Sequence, residues 1–254
     1  MILRHLLGLS VKEEGLLLDQ SGISKAIILA GGRGERLRSR VHDLPKPMAL
    51  VGGRPFLEYV LDGLVKGNVT DVILSVGYGA EVIQEHFGFS YRTIRLRYSK
   101  EHSPLGTGGA IALALRGEGP SPVLVLNGDT LVEIDYPALN AWYANAPSLV
   151  AIVLRYVPDV SRYGAVMVSN EQVIGFQEKG QHGPGLVNAG VYVIRPEVFV
   201  QYGKETSFSF ETDVLQQYCR ELKPNGLITT GYFIDIGTPE DYDRAQRELG
   251  AGWI

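Results

Sequence analysis

The chain holds a single cysteine, Cys219, in 254 residues, so no internal disulfide can form. That favours a reducing compartment, and a cytoplasmic location is expected. Positive charge is not in surplus: 24 Lys and Arg stand against 28 Asp and Glu, a net charge of −4. Without that surplus a nucleic-acid backbone cannot be neutralised, so nucleic acid is excluded as a general partner. Long apolar runs are also missing. The hydrophobic stretches near the N-terminus are interrupted by Arg4, His5, Lys12, Glu13, Glu14 and Asp19. They make neither a bilayer span nor the continuous core of a signal peptide, and no membrane partner is expected. Histidine and cysteine form no metal-binding cluster, and internal repeats and low-complexity runs are absent. Residues 1–23 read as an extension, and residues 24–250 as a single domain.

What is abundant is glycine, 31 residues of it, and many glycines fall where apolar runs stop. "KAIILA" (25–30), "DVILSVG" (71–77) and "PVLVLNGD" (122–129) are continuous apolar runs, the pattern of strands covered on both faces. "TIRLRYS" (93–99) alternates as a further strand. Between these runs lie a helical spacing at 55–67, opened by Pro55 and closed by Gly67, a second helix at 80–88 closed by Gly88, and a third at 106–117 after a glycine-rich turn. Strand and helix in alternation predict right-handed crossovers and a mainly parallel sheet. In the second half, strands are expected at 148–157, 163–169, 172–180 and 186–196, with short connections that favour antiparallel pairing. A helix at 210–222, short strands within 226–236 and a closing helix at 239–249 complete the reading. The expected fold class is α/β: a Rossmann-like mixed, mainly parallel sheet flanked by helices, with a smaller β-rich lid on its second half.

Ligands of open α/β sheets sit at the carboxyl ends of the strands, and three predicted strand ends are chemically loaded. The first is "GGRGERLRSRVHDLPKPM" (31–48). It is no Walker A loop, which needs Gly-Lys-Ser/Thr leading into a helix. It also fails the dinucleotide fingerprint, because Leu37 stands at the third glycine position. What remains is a turn whose N–H groups can wrap an anion, with Arg33, Arg36, Arg38 and Lys46 as charge partners. The glycines alone would equally suit a solvated basic turn, but Lys46 is fixed between Pro45 and Pro47. The second end, "NGDT", presents Asp129, and the third, "FIDIGTPEDY", presents Asp235. Each aspartate could be a turn or capping residue. Two of them beside a phosphate-shaped loop suit Mg²⁺. Glu101, ahead of the turn "PLGTGGA", could accept paired N–H donors from guanine, although an exposed charge is glutamate's commoner fate.

"LAGGRGERLR", "PKPM", "PLGTGGA", "NGD", "EKG", "NAGVYVI" and "DIGTPEDY" occur in the order found in sugar-1-phosphate nucleotidylyltransferases, which the chain resembles from about residue 25 to 248. Within that family it is most similar to the guanylyltransferases of D-glycero-D-manno-heptose 1-phosphate and mannose 1-phosphate. The resemblance implies an enzyme that joins GTP and a sugar 1-phosphate with Mg²⁺, releasing pyrophosphate. Carried to this sequence, Gly31, Gly32 and Gly34 would approach the nucleotide, Arg36 its triphosphate and Lys46 the α-phosphate. Glu101 and Gly106 would contact the base, and Asp129 and Asp235 the metal. Gly164, Glu178, Lys179 and Asn188 would hold the sugar phosphate, although a strand turn, an exposed hairpin lysine or a backbone-bonded asparagine would look the same. Arg33, Arg38 and Arg40 receive no role. Mannose or glucose 1-phosphate, and dTTP or UTP, are alternative substrates. A non-catalytic nucleotide-sugar sensor is the alternative of another class, and a homodimer is compatible with either.

Overall fold

The computed structural model describes residues 22–32, 34–37, 40–41, 44–204 and 207–250. Residues 1–21, Arg33 and Arg38 therefore lie outside the described residues. In chain order the main sheet and its helices run β1 (Lys25–Leu29), α1 (Phe56–Lys66), β2 (Asp71–Val76), α2 (Ala80–Phe87), β3 (Ser90–Tyr91), β4 (Ile94–Lys100), α3 (Gly106–Ala114), β5 (Val123–Asn127) and α4 (Tyr136–Asn145). They continue as β6 (Val150–Val157), β7 (Val166–Ser169), β8 (Gln172–Phe176), β9 (Gly185–Ile194), α5 (Glu197–Tyr202), α6 (Cys219–Leu222), β10 (Asn225–Thr229) and α7 (Pro239–Leu249).

The ten strands form one sheet in the order β7-β8-β10-β6-β9-β5-β1-β2-β4-β3. β1 pairs in parallel with β2 and β5, and β2 in parallel with β4, as the alternation of strands and helices predicts. The β-rich second half continues this sheet. β9 lies antiparallel to both β5 and β6, and β7 antiparallel to β8. β10 is the exception among the second-half strands, running parallel to β6.

The apolar run of β1 is continuous because both faces are covered. Ala26 and Ile28 join the layer packed under α1, α2, α4 and α7, whereas Ile27 joins the opposite layer under α3, α5 and α6. α1 presents Leu57, Leu61 and Leu64, all fully buried, from one stripe. Each such leucine contributes about 1.5–3 kcal/mol relative to an exposed one. α4 and α5 are helices that the sequence reading left unassigned. The helix expected over 210–222 divides into a π-helical segment, Phe210–Gln216, and the short α6.

One small ladder matters for the site. Phe233–Asp235 pairs antiparallel with Thr130–Val132, with Asp235 opposite Thr130, and the Ile236 N–H donates to the Asp129 carbonyl at 3.0 Å. That pairing brings two distant acidic strand ends together.

Candidate active site

Leu29 of β1 lies opposite Ser75 on one side and Asn127 on the other, and Val76 opposite Lys100. Four parallel strands therefore finish level, and the loops that follow them enclose a cavity of about 910 Å³. That volume suits a molecule of nucleotide size. The chain runs from β1 to β2 on one side and returns to β5 on the other, so the cavity lies at the switch point where α/β sheets hold ligands.

Eight of the residues singled out in the sequence line this cavity: Gly31, Gly32, Gly34, Arg36, Lys46, Glu101, Gly106 and Asp129. Their surroundings differ. A Cβ on Gly32 would meet nothing within 4 Å, so the backbone there is open to a ligand. Gly34 has φ +62°, and a Cβ on it would come within 2.8 Å of the Lys46 Cβ. Glycine at 34 thus makes room for the lysine. Gly106 (φ +69°) is needed for a neighbour as well, since a Cβ there would meet the Phe208 carbonyl at 2.4 Å. Arg36 is exposed on the single turn Glu35–Leu37. Arg40 turns away from the cavity and binds Asp243 of α7 at 2.8 Å. Glu101 accepts the Leu105 N–H at 3.1 Å, and its Oε1 would stand 3.0 Å from a Cβ on Gly31. Its carboxylate is therefore held against the loop that opens α3.

Lys46 begins a single turn, Lys46–Met48, with Pro45 extended before it and Pro47 buried after it. Its ammonium group pairs with Asp129 and lies 3.5 Å from Asp235 Oδ1. Asp235 is itself oriented: Oδ1 accepts the Gly237 N–H at 2.7 Å, and Oδ2 accepts Arg162 Nη2 at 3.0 Å. Arg162 also pairs with Asp241 and lies over the Tyr163 ring at 5.0 Å. Two carboxylates thus converge on one cationic group. Among the described residues no cluster of three or more His, Cys, Asp or Glu side chains could hold a metal. Asp129 lines the cavity, and Asp235 stands behind it on the same lysine. Two such carboxylates are a donor set a hard divalent cation uses when phosphate oxygens complete its shell.

The sugar-side candidates do not line the cavity. Gly164 follows Tyr163 and lies against the segment after β8, its missing Cβ 2.5 Å from the Gln177 carbonyl and 3.6 Å from the Lys179 nitrogen. Glu178 and Lys179 are exposed in that segment. Asn188, on β9, gives its amide to the Tyr192 hydroxyl at 2.9 Å. Arg162 connects this side to the cavity through Asp235. Lining residues that the sequence reading missed include Tyr78, Lys100, His102, Thr107 and Asn127. Tyr78 and Asn127 sit at or just beyond strand ends, a signal that was available in "SVGYG" and "VLNGD". Arg162 carries no such signal.

A family model described as Nucleotidyl transferase matches residues 25–251. The chain is 43% identical over 225 residues to D-glycero-alpha-D-manno-heptose 1-phosphate guanylyltransferase of Aneurinibacillus thermoaerophilus, covering 89% of this chain and 98% of that one. It is 42% identical over 219 residues to the Campylobacter jejuni protein of the same name, covering 86% and 96%. The crystal structure of HddC from Yersinia pseudotuberculosis complexed with GMP-PN superposes with a TM-score of 0.76 at 35% identity, covering 89% of this chain and all of that one.

Proposed function

The chain belongs to the nucleotidyl transferase family, and from that premise we propose that it converts GTP and D-glycero-D-manno-heptose 1-phosphate to the GDP-sugar and pyrophosphate. The observation that carries the reading is Lys46, held between Asp129 and Asp235 at the mouth of four parallel strands. The base and sugar follow the two relatives of that name and the nucleotide in the HddC structure.

The sugar phosphate needs no general base, since its second pKa is about 6 and it is ionised at neutral pH. One of its oxygens attacks the α-phosphorus as the bond to the pyrophosphate oxygen breaks, and the residues act by position and charge. The backbone from Gly31 to Gly34 approaches the phosphates, and Arg36 faces the departing pyrophosphate. Lys46 leaves its carboxylate partners for the α-phosphate, where negative charge must be balanced in the transition state. Magnesium, held by Asp129 and Asp235, would supply charge neutralisation to the phosphate oxygens. Arg162 holds one oxygen of the Asp235 carboxylate and leaves the other beside Lys46, as outer-shell partners of metal ligands do. Glu101 meets the base, and Gly164, Glu178, Lys179 and Asn188 receive the sugar phosphate from the adjoining side.

Lys46→Ala and Asp129→Asn test these roles. Each is expected to lower kcat by about 10²-fold or more, the scale of losing one transition-state charge contact. Pyrophosphate release near the wild-type rate in either variant would sink the assignment.

A further inference from the structure

A hydrogen-bonded chain of side chains joins the nucleotide side of the site to the proposed sugar side, and of its members only Asn188 has a role above. Its centre is Glu211, in the π-helical segment Phe210–Gln216. Glu211 Oε2 accepts the Thr107 hydroxyl at 2.5 Å and the Ser209 hydroxyl at 3.0 Å. Oε1 accepts the Tyr192 hydroxyl at 3.2 Å. Thr107, which lines the cavity at the start of α3, accepts the Phe210 N–H at 2.8 Å. On the other side, Tyr192 accepts the Asn188 amide, and Asn188 Oδ1 accepts the Gly190 N–H at 3.0 Å.

Capping explains only part of this. Ser209 is the N-cap of the segment, and an acid in the first turn suits the positive end of a helix. Neither fact calls for a carboxylate that reaches α3 with one oxygen and β9 with the other. Tyr192 is 1% exposed, and burial, followed by the Glu211 charge, pushes its phenol well above the ordinary tyrosine range. The hydroxyl therefore stays a donor throughout neutral pH. A fully partnered network of this kind rigidifies what it connects, and π-helical segments recur at functional sites.

We propose that Glu211 is a positioning residue: through Thr107 on one side and Tyr192–Asn188 on the other, it sets the distance between the nucleotide pocket and the strand that receives the sugar phosphate. The proposal rests on the nucleotidyl-transfer reading and deepens it. In-line attack tolerates little slack between two bound reactants, and this carboxylate ties the elements that carry them.

Tyr192→Phe is the cleanest probe. It keeps the ring in its edge contact with Phe210, at 5.4 Å between centroids, and removes only the hydroxyl. The expected result is a KM for the sugar 1-phosphate raised about tenfold, with the GTP KM changed less than about twofold and Tm within about 3 °C of wild type. Glu211→Ala should raise both KM values and lower kcat. Adding Tyr192→Phe to it should change little further, because the link is already cut. Additive effects of the two substitutions, or an unmoved sugar KM in Tyr192→Phe, would overturn the proposal while wild-type turnover left the function reading intact. A wild-type chain that releases pyrophosphate from no substrate pair would remove that reading and this proposal with it. Should Glu211→Ala fail to fold, the KM pattern of Tyr192→Phe decides alone.

Discussion

Lys46 is fixed by its neighbours more than by its own side chain. Proline on both sides limits its backbone, and the missing Cβ of Gly34 leaves the space its stem fills. Restoring that Cβ tests the arrangement without touching a charge. Gly34→Ala would force a left-handed backbone position to carry a side chain and push on Lys46. We expect kcat to fall about tenfold or more, with a stability loss of only about 1 kcal/mol, because the loop is at the surface of the cavity. A variant with wild-type kcat would show that the lysine tolerates displacement. Lys46, Asp129 and Asp235 were legible in the sequence because each sits where structure is over-determined, between prolines or at the end of a buried run. Arg162 was not. Its partner Asp235 is 73 residues away, and the pair exists only after the chain has folded.

Elements with a strong local pattern could be read directly: β1, β2 and β5 follow from continuous apolar runs, α1 and α2 from amphipathic spacing, and α3 from the glycine-rich turn that opens it. α4 could not. Its buried residues Tyr136, Leu139 and Tyr143 do recur at helical spacing, but two are tyrosines, and the alanines and Trp142 among them blur the stripe. α5 is only six residues long, too short to show a period. The parallel pairing of β10 with β6 depends on tertiary neighbours and leaves no trace in either strand.

At the far end of the parallel strands from the cavity, Arg97 of β4 binds Asp71 of β2 at 2.8 Å and Glu118 beyond α3 at 3.0 Å, with Lys25 of β1 also on Glu118 at 2.5 Å. The hydrogen bond from Arg97 is the largest influence holding the Glu118 carboxyl below its ordinary value. A carboxyl depressed in the folded chain adds stability above its unfolded pKa, and loses it as pH falls through the folded one. Arg97→Met should therefore destabilise the chain by on the order of 1–2 kcal/mol at pH 7, between the exposed and buried limits for ion pairs. The difference should shrink steadily below the ordinary glutamate range, near pH 4.5 and lower. Denaturant titrations at both pH values check it, and an equal loss at both would mean that Arg97 acts by packing alone.

Across the whole molecule, the site lies where the parallel half of the sheet meets its antiparallel half. β5 ends in Asn127, with Asp129 two residues beyond, and beside it β9 carries Asn188, with the ladder's register shifting between Asn188 and Tyr192. In the proposed reading the nucleotide-side loops come from one half and the sugar-side residues from the other, so a single sheet would hold both reactants. Among the described residues no helix is long and apolar enough to cross a membrane. The residues around the cavity were the more legible part, because loaded loops at parallel strand ends announce a ligand. The sugar side was less so, since a turn glycine, an exposed lysine and a strand asparagine look ordinary in a sequence.

The most direct measurement is pyrophosphate release by the purified chain with magnesium, across GTP, ATP, UTP and dTTP against the 1-phosphates of heptose, mannose and glucose. We predict release with GTP and D-glycero-D-manno-heptose 1-phosphate at a kcat/KM about tenfold or more above every other pair. Release that favours a different pair would contradict the substrate assignment, and release from no pair would contradict nucleotidyl transfer itself.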